Sequence, residues 1–217
     1  MKKPRNTLTK EKIVETAIEW VDQNGIEALS MRRLADRLGV KAMSLYNHVK
    51  NKQQLIDEMA ETIIGKFAAP DKTAYWKTAM EARAISMYKT LMQHRWAASI
   101  LLSNLNTGSN SLTFFDGTLD CLQTAGMPLP LADKAINLMD SFIYGFTIQE
   151  LSFPVDSSEY HETAAEYQPQ VSKETHASLF ALTNLVVNGE YDGKSDFEFG
   201  LGIILDGLEK IIIHQQE

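Results

Sequence analysis

The stretch from Leu29 to Lys52, LSMRRLADRLGVKAMSLYNHVKNK, leaves its backbone few choices. Ser30 is suited to cap a helix, its hydroxyl accepting from backbone N–H groups in the first turn. Met31, Leu34, Ala35 and Leu38 then recur at helical spacing, and Gly39 follows where a chain leaving a helix takes positive φ without a Cβ penalty. Val40 and Leu45 supply the buried side of a second helix. Ala35 is small enough for the two helices to cross closely, Gly39 makes the turn, and Leu45 plugs the angle between them. This is the pattern of a helix-turn-helix. The second helix then projects Lys41, Ala42, Met43, Ser44, Tyr46, Asn47 and His48, a set matched to a DNA groove and its flanking phosphates. An ordinary helical hairpin with solvated charges is the competing reading. Against it stand the combined spacing, the pair Lys50 and Lys52 where a next helix would start, and the basic arm MKKPR at the N-terminus.

Those residues carry a resemblance. The segment is similar to the DNA-binding domain of the TetR family of bacterial transcriptional repressors, through LGV, through LYNHVKNKQQL with Tyr46, His48, Lys50 and Lys52, and through the preceding TKEKIVETAIEWVDQNGIEALSMRRLA. Near the C-terminus, FEFGLGIILDGLEKIII resembles the last helix of the tetracycline-repressor-like ligand-binding domain. The resemblance implies a homodimer, double-stranded DNA with a palindromic operator as one partner, and a small-molecule effector as another.

Summed over the chain of 217 residues, a net charge of -7 opposes a nucleic-acid partner. The sign is unevenly spread. Residues 1–52 hold 11 Lys and Arg against 6 Asp and Glu, a balance of +5, and the remainder holds 10 against 22, a balance of -12. A basic head on an acidic body favours orientation on DNA, because phosphate attracts the one and repels the other. No apolar stretch approaches the roughly 20 residues needed to cross a bilayer, and the N-terminus has no signal-peptide core, so no membrane partner and a cytoplasmic location are expected. Cys121 is the sole cysteine, which excludes an intrachain disulfide; its apolar helical setting reads as a buried structural thiol.

No segment alternates at period two over strand length, so the expected fold is all-α with nine or ten helices: an N-terminal helix-turn-helix domain over residues 1–66 and a helical effector-binding and dimerisation domain over 67–217. The first helix is expected from Thr9 to Gln23, with Ile13, Ala17, Ile18, Trp20 and Val21 inward. A fourth helix carries Leu55, Ile56, Met59, Ile63, Ile64 and Phe67 inward and spans the join. Beyond a break at Pro70 the pattern predicts helices over 73–94, 97–103, 112–125 and 131–153, the last closed by Pro154. Residues 155–171 read as a mobile acidic loop with at most a helical turn. Further helices are expected from Lys173 to Asn188 and over 195–214. The helices around Ile136–Phe153 and Phe197–Ile213 are apolar on more than one face, with Gly145, Gly200, Gly202 and Gly207 permitting close approach. Such helices must be buried, most economically in a two-fold four-helix interface.

On DNA, Arg32, Lys41, Ser44 and Asn47 are expected to carry more of the hydrogen-bonding specificity, Arg32 reaching a guanine edge or a phosphate, and Ala42 and Met43 to select by shape, for instance against a thymine methyl. The resemblance implies phosphate roles for Tyr46, His48 and Lys52; a packing role is the alternative for His48. It also implies an inducer site within residues 73–150, with Arg83, Met87, Leu101, Asn104 and Thr118 near the drug-contacting positions. Phe114, Tyr144 and Phe146 are expected as aromatic walls. Where tetracycline repressors carry a metal-binding histidine this chain has Leu101, so a magnesium–tetracycline inducer is not expected, and a largely apolar or aromatic ligand is favoured. No cofactor or metal is expected. His161 and His176 lie near Glu159, Glu162 and Glu174, but in a polar segment where solvated charge is the simpler account. An enzyme finds no support in a nucleophile elbow, metal spacing or phosphate loop. A helical DNA-binding scaffold without an inducer is the remaining alternative.

Overall fold

In the computed structural model, which describes residues 8–103, 106–153, 160–192 and 196–216, the described residues form α-helices and short 3-10 turns, with no strand. Helix α1 (Lys10–Asn24) starts where the Thr9 hydroxyl accepts from the Lys12 N–H, and it buries Ile13, Val14, Ala17, Ile18 and Val21 on one face. Trp20, expected inward, is only half-buried and lies beneath the Arg37 guanidinium, 5.3 Å from its ring centroid. Helix α2 (Met31–Leu38) is capped by the Ser30 hydroxyl, which accepts from the Arg33 N–H, and it ends at Gly39 with φ +67. The left-handed turn lets the Val40 N–H return to the Ala35 carbonyl at 3.0 Å. Helix α3 (Ala42–Leu45) is a single turn, anchored by Leu45 and by Val49 just beyond it, both fully buried; Val40 is only half-buried.

Helix α4 (Lys52–Ile64) is capped twice: the Asn51 side chain accepts from the Gln54 N–H, and the Gln54 side chain accepts from the Lys50 N–H. All six residues expected inward from this region are buried, Phe67 included. Helices α5 (Trp76–Gln93) and α6 (Ala97–Ser103) meet at a corner that locks onto the head. There the Asp22 carboxylate accepts from the Trp96 indole N–H at 2.8 Å and pairs with His94 Nδ1 at 2.9 Å, while Lys66 Nζ lies 2.9 Å from His94 Nε2. One small polar network thus joins α1, the chain following α4, and the α5–α6 corner.

Helix α7 (Ser109–Thr124) begins three residues before the expected start, because its first turn is capped from outside by Glu61 of α4 and not by a local side chain. Helix α8 (Leu129–Ser152) is the longest. Two shorter helices follow, α9 (Tyr160–Tyr167) and α10 (Ala177–Val187), and then α11 (Phe197–Gln216). Eleven α-helices are therefore present among the described residues, against the nine or ten expected. The difference lies chiefly in α9, which corrects the reading of residues 155–171 as a loop. Tyr160, Thr163, Ala164 and Gln168 are partly covered at helical spacing, and polar contacts hold the segment on α10: His161 Nε2 with the Val187 carbonyl at 2.8 Å, and Gln168 with Asn184. So short and polar a face gives hydrophobic periodicity little to register. Pro154 lies outside the described residues.

A continuous buried cluster runs from Ile13 to Ile212 through every long helix of the head and body. In α11 the buried residues Phe197, Leu201, Leu205, Leu208 and Ile212 follow one face, and Gly200 lets Phe142 approach so closely that a Cβ there would sit 2.6 Å from its ring. At Gly39 the constraint is conformational, since open space surrounds the missing Cβ. Gly39→Ala should therefore lower unfolding stability by about 1 kcal/mol through backbone strain alone, measured by urea denaturation.

Candidate nucleic-acid interface and effector site

The head presents its polar residues on a face that the core fixes from behind. Leu45 and Val49, one helical turn apart, pin α3 and the turn after it, so the intervening side chains point outward. Met43 is 74% exposed, and Arg32, Lys41, Tyr46, Asn47 and Lys52 are exposed; Ala42, Ser44 and His48 are half-buried. Residues 30–52 carry six Lys and Arg against Asp36 alone. Two of these cations are engaged within the protein, Arg37 on Trp20 and Arg33 through the Ala28 carbonyl at 3.3 Å. Arg32, Lys41 and Lys52 have no side-chain partner among the described residues, and that is the electrostatic condition a phosphate-facing surface requires. Sequence reasoning missed Val49 and the Gln54 cap; the four-residue spacing from Leu45 was the signal for the first.

In the body, three helices converge on one buried charge. Arg83 of α5 is 1% exposed. Its Nε–H donates to the Thr118 hydroxyl of α7 at 3.1 Å, and its two terminal nitrogens grip the Asp140 carboxylate of α8 at 2.8 and 3.3 Å. The Phe114 ring of α7 faces the guanidinium at 4.7 Å, and Thr118 in turn donates to the Phe114 carbonyl. Arg83, Phe114 and Thr118 are thus brought together. Met87 lies one turn further along α5 and is buried, and Tyr144 lies one turn beyond Asp140 on α8. Burial, with the Asp140 charge adding to it, pushes the Tyr144 phenol well above its ordinary range, so it remains a neutral hydroxyl. Leu101 is buried in α6. Asn104 lies outside the described residues.

Phe146 does not join this group, contrary to the expectation of a shared aromatic wall. Two positions beyond Tyr144 on a helix is about half a turn, so the ring points away. It belongs instead to a second aromatic cluster, 5.9 Å from Tyr88, 5.6 Å from Phe142 and 5.3 Å from Phe197. The Tyr88 hydroxyl there donates to Glu150 at 2.6 Å. The residue that sequence reasoning missed is Asp140, whose signal was a lone acid inside the otherwise apolar INLMDSFIYGF. Cys121 is buried, and its thiol is pushed up by that burial and by neighbouring Asp120; Lys72, which pairs with Asp120, opposes the shift.

The profile of the bacterial regulatory proteins of the tetR family matches residues 13–59, and that of the tetracyclin repressor-like C-terminal domain matches residues 69–212. The class C tetracycline repressor protein of Escherichia coli is 31% identical over 213 residues, covering 95% of this chain and 93% of the relative. The chain belongs to the tetR family of bacterial regulators. Another relative, the HTH-type transcriptional repressor DrrR1 of Streptomyces coeruleorubidus, is 28% identical over 98% of this chain and 82% of its own length. Among solved structures, the tetR-family protein ActR of Streptomyces coelicolor in complex with actinorhodin superposes with a TM-score of 0.79 at 26% identity, covering 94% of this chain and 96% of ActR.

The buried Arg83 depends on its counter-charge. Asp140→Ala should lower stability by about 3 kcal/mol, because the guanidinium is left desolvated and unpaired. An unchanged urea midpoint would show that another group neutralises Arg83.

Proposed function

We propose that this chain is a repressor that binds a palindromic operator as a homodimer and is released by a small aromatic ligand held against Arg83. The observation that carries the reading is the coexistence, in one chain, of an outward cationic helix-turn-helix and a buried guanidinium in the body. That guanidinium has spent three N–H donors on Thr118 and Asp140, which leaves two with no partner among the described residues. A ligand with a planar apolar body and carbonyl or phenolic oxygens would match the chemistry of Phe114, Tyr144 and those donors. The actinorhodin complex of ActR supports this class of ligand. Residues 1–66 would serve as the DNA-binding unit and 67–217 as the effector-binding and dimerisation unit.

Dimerisation is supported by apolar surface left exposed among the described residues. Opposite its buried face, α11 presents Phe199, Ile203 and Ile211 around Gly207 at four-residue intervals, with Phe199 68% and Ile203 59% exposed. Leu138 of α8 and Leu179, Leu182 and Leu185 of α10 are also exposed. A stripe of this kind is costly in water and suits a two-fold helical interface. Ile203→Asp should yield monomers in sedimentation velocity without loss of helicity, since the residue lies outside the protomer core; a dimer of parental mass would remove α11 from the interface.

Selection of bound sequences from random duplex DNA tests the operator claim. Enrichment of a palindrome with half-sites about one helical turn (roughly 34 Å) apart or a modest multiple is expected. Release of that DNA is then assayed with actinorhodin and, as contrast, with minocycline plus magnesium, which Leu101 disfavours. Lys52→Ala should weaken binding to all sequences alike and reduce the salt slope by about one. Replacing Arg32 or Asn47 should relax preference at particular base pairs instead.

A further inference from the structure

Helix α7 has no cap of its own. Gly108 precedes it without a side chain, yet two of its first-turn N–H groups are satisfied: the Asn110 and Ser111 N–H groups donate to Glu61 Oε2 at 2.9 and 3.4 Å, and the Ser111 hydroxyl donates to Glu61 Oε1. The Asn110 amide returns the contact, donating to the Glu61 carbonyl at 2.9 Å. A carboxylate at this end of a helix meets both unpaired donors and the positive end of the helix dipole. Two glycines make the approach possible. A Cβ at Gly108 would run into the Glu61 carboxylate, and one at Gly65 would meet Asn110 Nδ2 at 2.7 Å.

The position of this contact gives it a role beyond capping. Glu61 sits on α4, the helix that continues the DNA-binding head. The helix it caps carries Phe114 and Thr118 onto Arg83, about one and two turns further along. The Asp22–His94–Trp96–Lys66 network fixes the head to the body at one place, and Glu61 fixes it at a second, on a different helix. These two polar attachments, on either side of the apolar packing of α4, define an orientation of the head on the body.

We propose that Glu61 is a positioning residue that sets the angle of the DNA-binding head on the body by holding the N-terminus of α7. The coupling of this angle to a ligand rests on the effector reading of Arg83; the angle itself does not. Any displacement of α7 at Thr118 reaches α4 through the carboxylate, and loss of the carboxylate leaves the α4–α7 joint to apolar packing such as Phe67 on Phe114, which fixes direction less tightly.

The test measures that angle directly. Spin labels are placed on α1 and α5 by Glu19→Cys and Glu81→Cys in a Cys121→Ser background. Labelled chains are diluted into excess unlabelled protein, so that only pairs within one chain report, whatever the oligomeric state. The parent should give one narrow distance distribution by pulsed electron resonance. Glu61→Ala should widen it about twofold, as a released element samples further orientations. Gly108→Ala, which displaces the carboxylate from the α7 side, should do the same, and the two together should add little to either alone. Glu61→Gln keeps an acceptor and should stay near the parent. A helix cap with no positioning role would lower stability and leave the distribution unchanged, so parental widths in folded Glu61→Ala or Gly108→Ala protein overturn the proposal. No DNA or ligand enters the measurement, so its outcome is separate from that of the operator selection.

Discussion

The packing of α4 on both of its sides is the constraint on which the remaining structure depends. Leu55, Met59, Ala60 and Ile63 have no exposed surface, and Ile64 and Phe67 little. Phe67 reaches into the body, where its ring lies 5.4 Å from Phe114, while the start of the helix closes the head against α1. Each large apolar side chain buried this way contributes roughly 2 kcal/mol. The head therefore has no core separable from that of the body. Close-packed interiors do not deform continuously, so motion in one half must be carried by α4 as a unit or be absorbed at its ends.

Against that apolar background the polar groups are few and committed. Arg83 is held by partners from two other helices, a geometry that sets how α5, α7 and α8 meet. A buried ion pair is weak evidence for stability, since desolvation offsets much of its attraction, but a single charge with fixed partners admits few alternative registers. Burial pushes the phenols of Tyr88 and Tyr144 upward, so both act as neutral hydroxyls beside the carboxylates of Glu150 and Asp140.

What could be read from the chain alone follows from the range of the interactions concerned. The Ser30 cap, the Gly39 turn and the burial of Leu45 are set by neighbours within a few residues, and each is legible locally. So are the long helices, whose apolar periodicity extends over several turns. The start of α7 was misplaced because its capping group lies about fifty residues upstream, and α9 was missed because it is held by hydrogen bonds to α10 and not by an apolar face. In the candidate effector site, Arg83 and Thr118 came from the family resemblance and the aromatic residues from their type, but neither route selected the acid that pairs with Arg83. Asp140 stands out in the chain only as a lone acid in an apolar run, and its partner Arg83 becomes visible when α8 is laid beside α5; the same step turns Phe146 to the other side.

The bare stripe on α11 also bears on how long the protein lasts. If folding of the protomer leaves Phe199, Ile203 and Ile211 in water, association stabilises the native state by mass action, and thermal stability then rises with concentration. At low copy number a larger fraction of chains would be single, with apolar surface open to proteases and chaperones. Abundance would then set lifetime as well as occupancy of DNA, making turnover steepest where the regulator is scarcest.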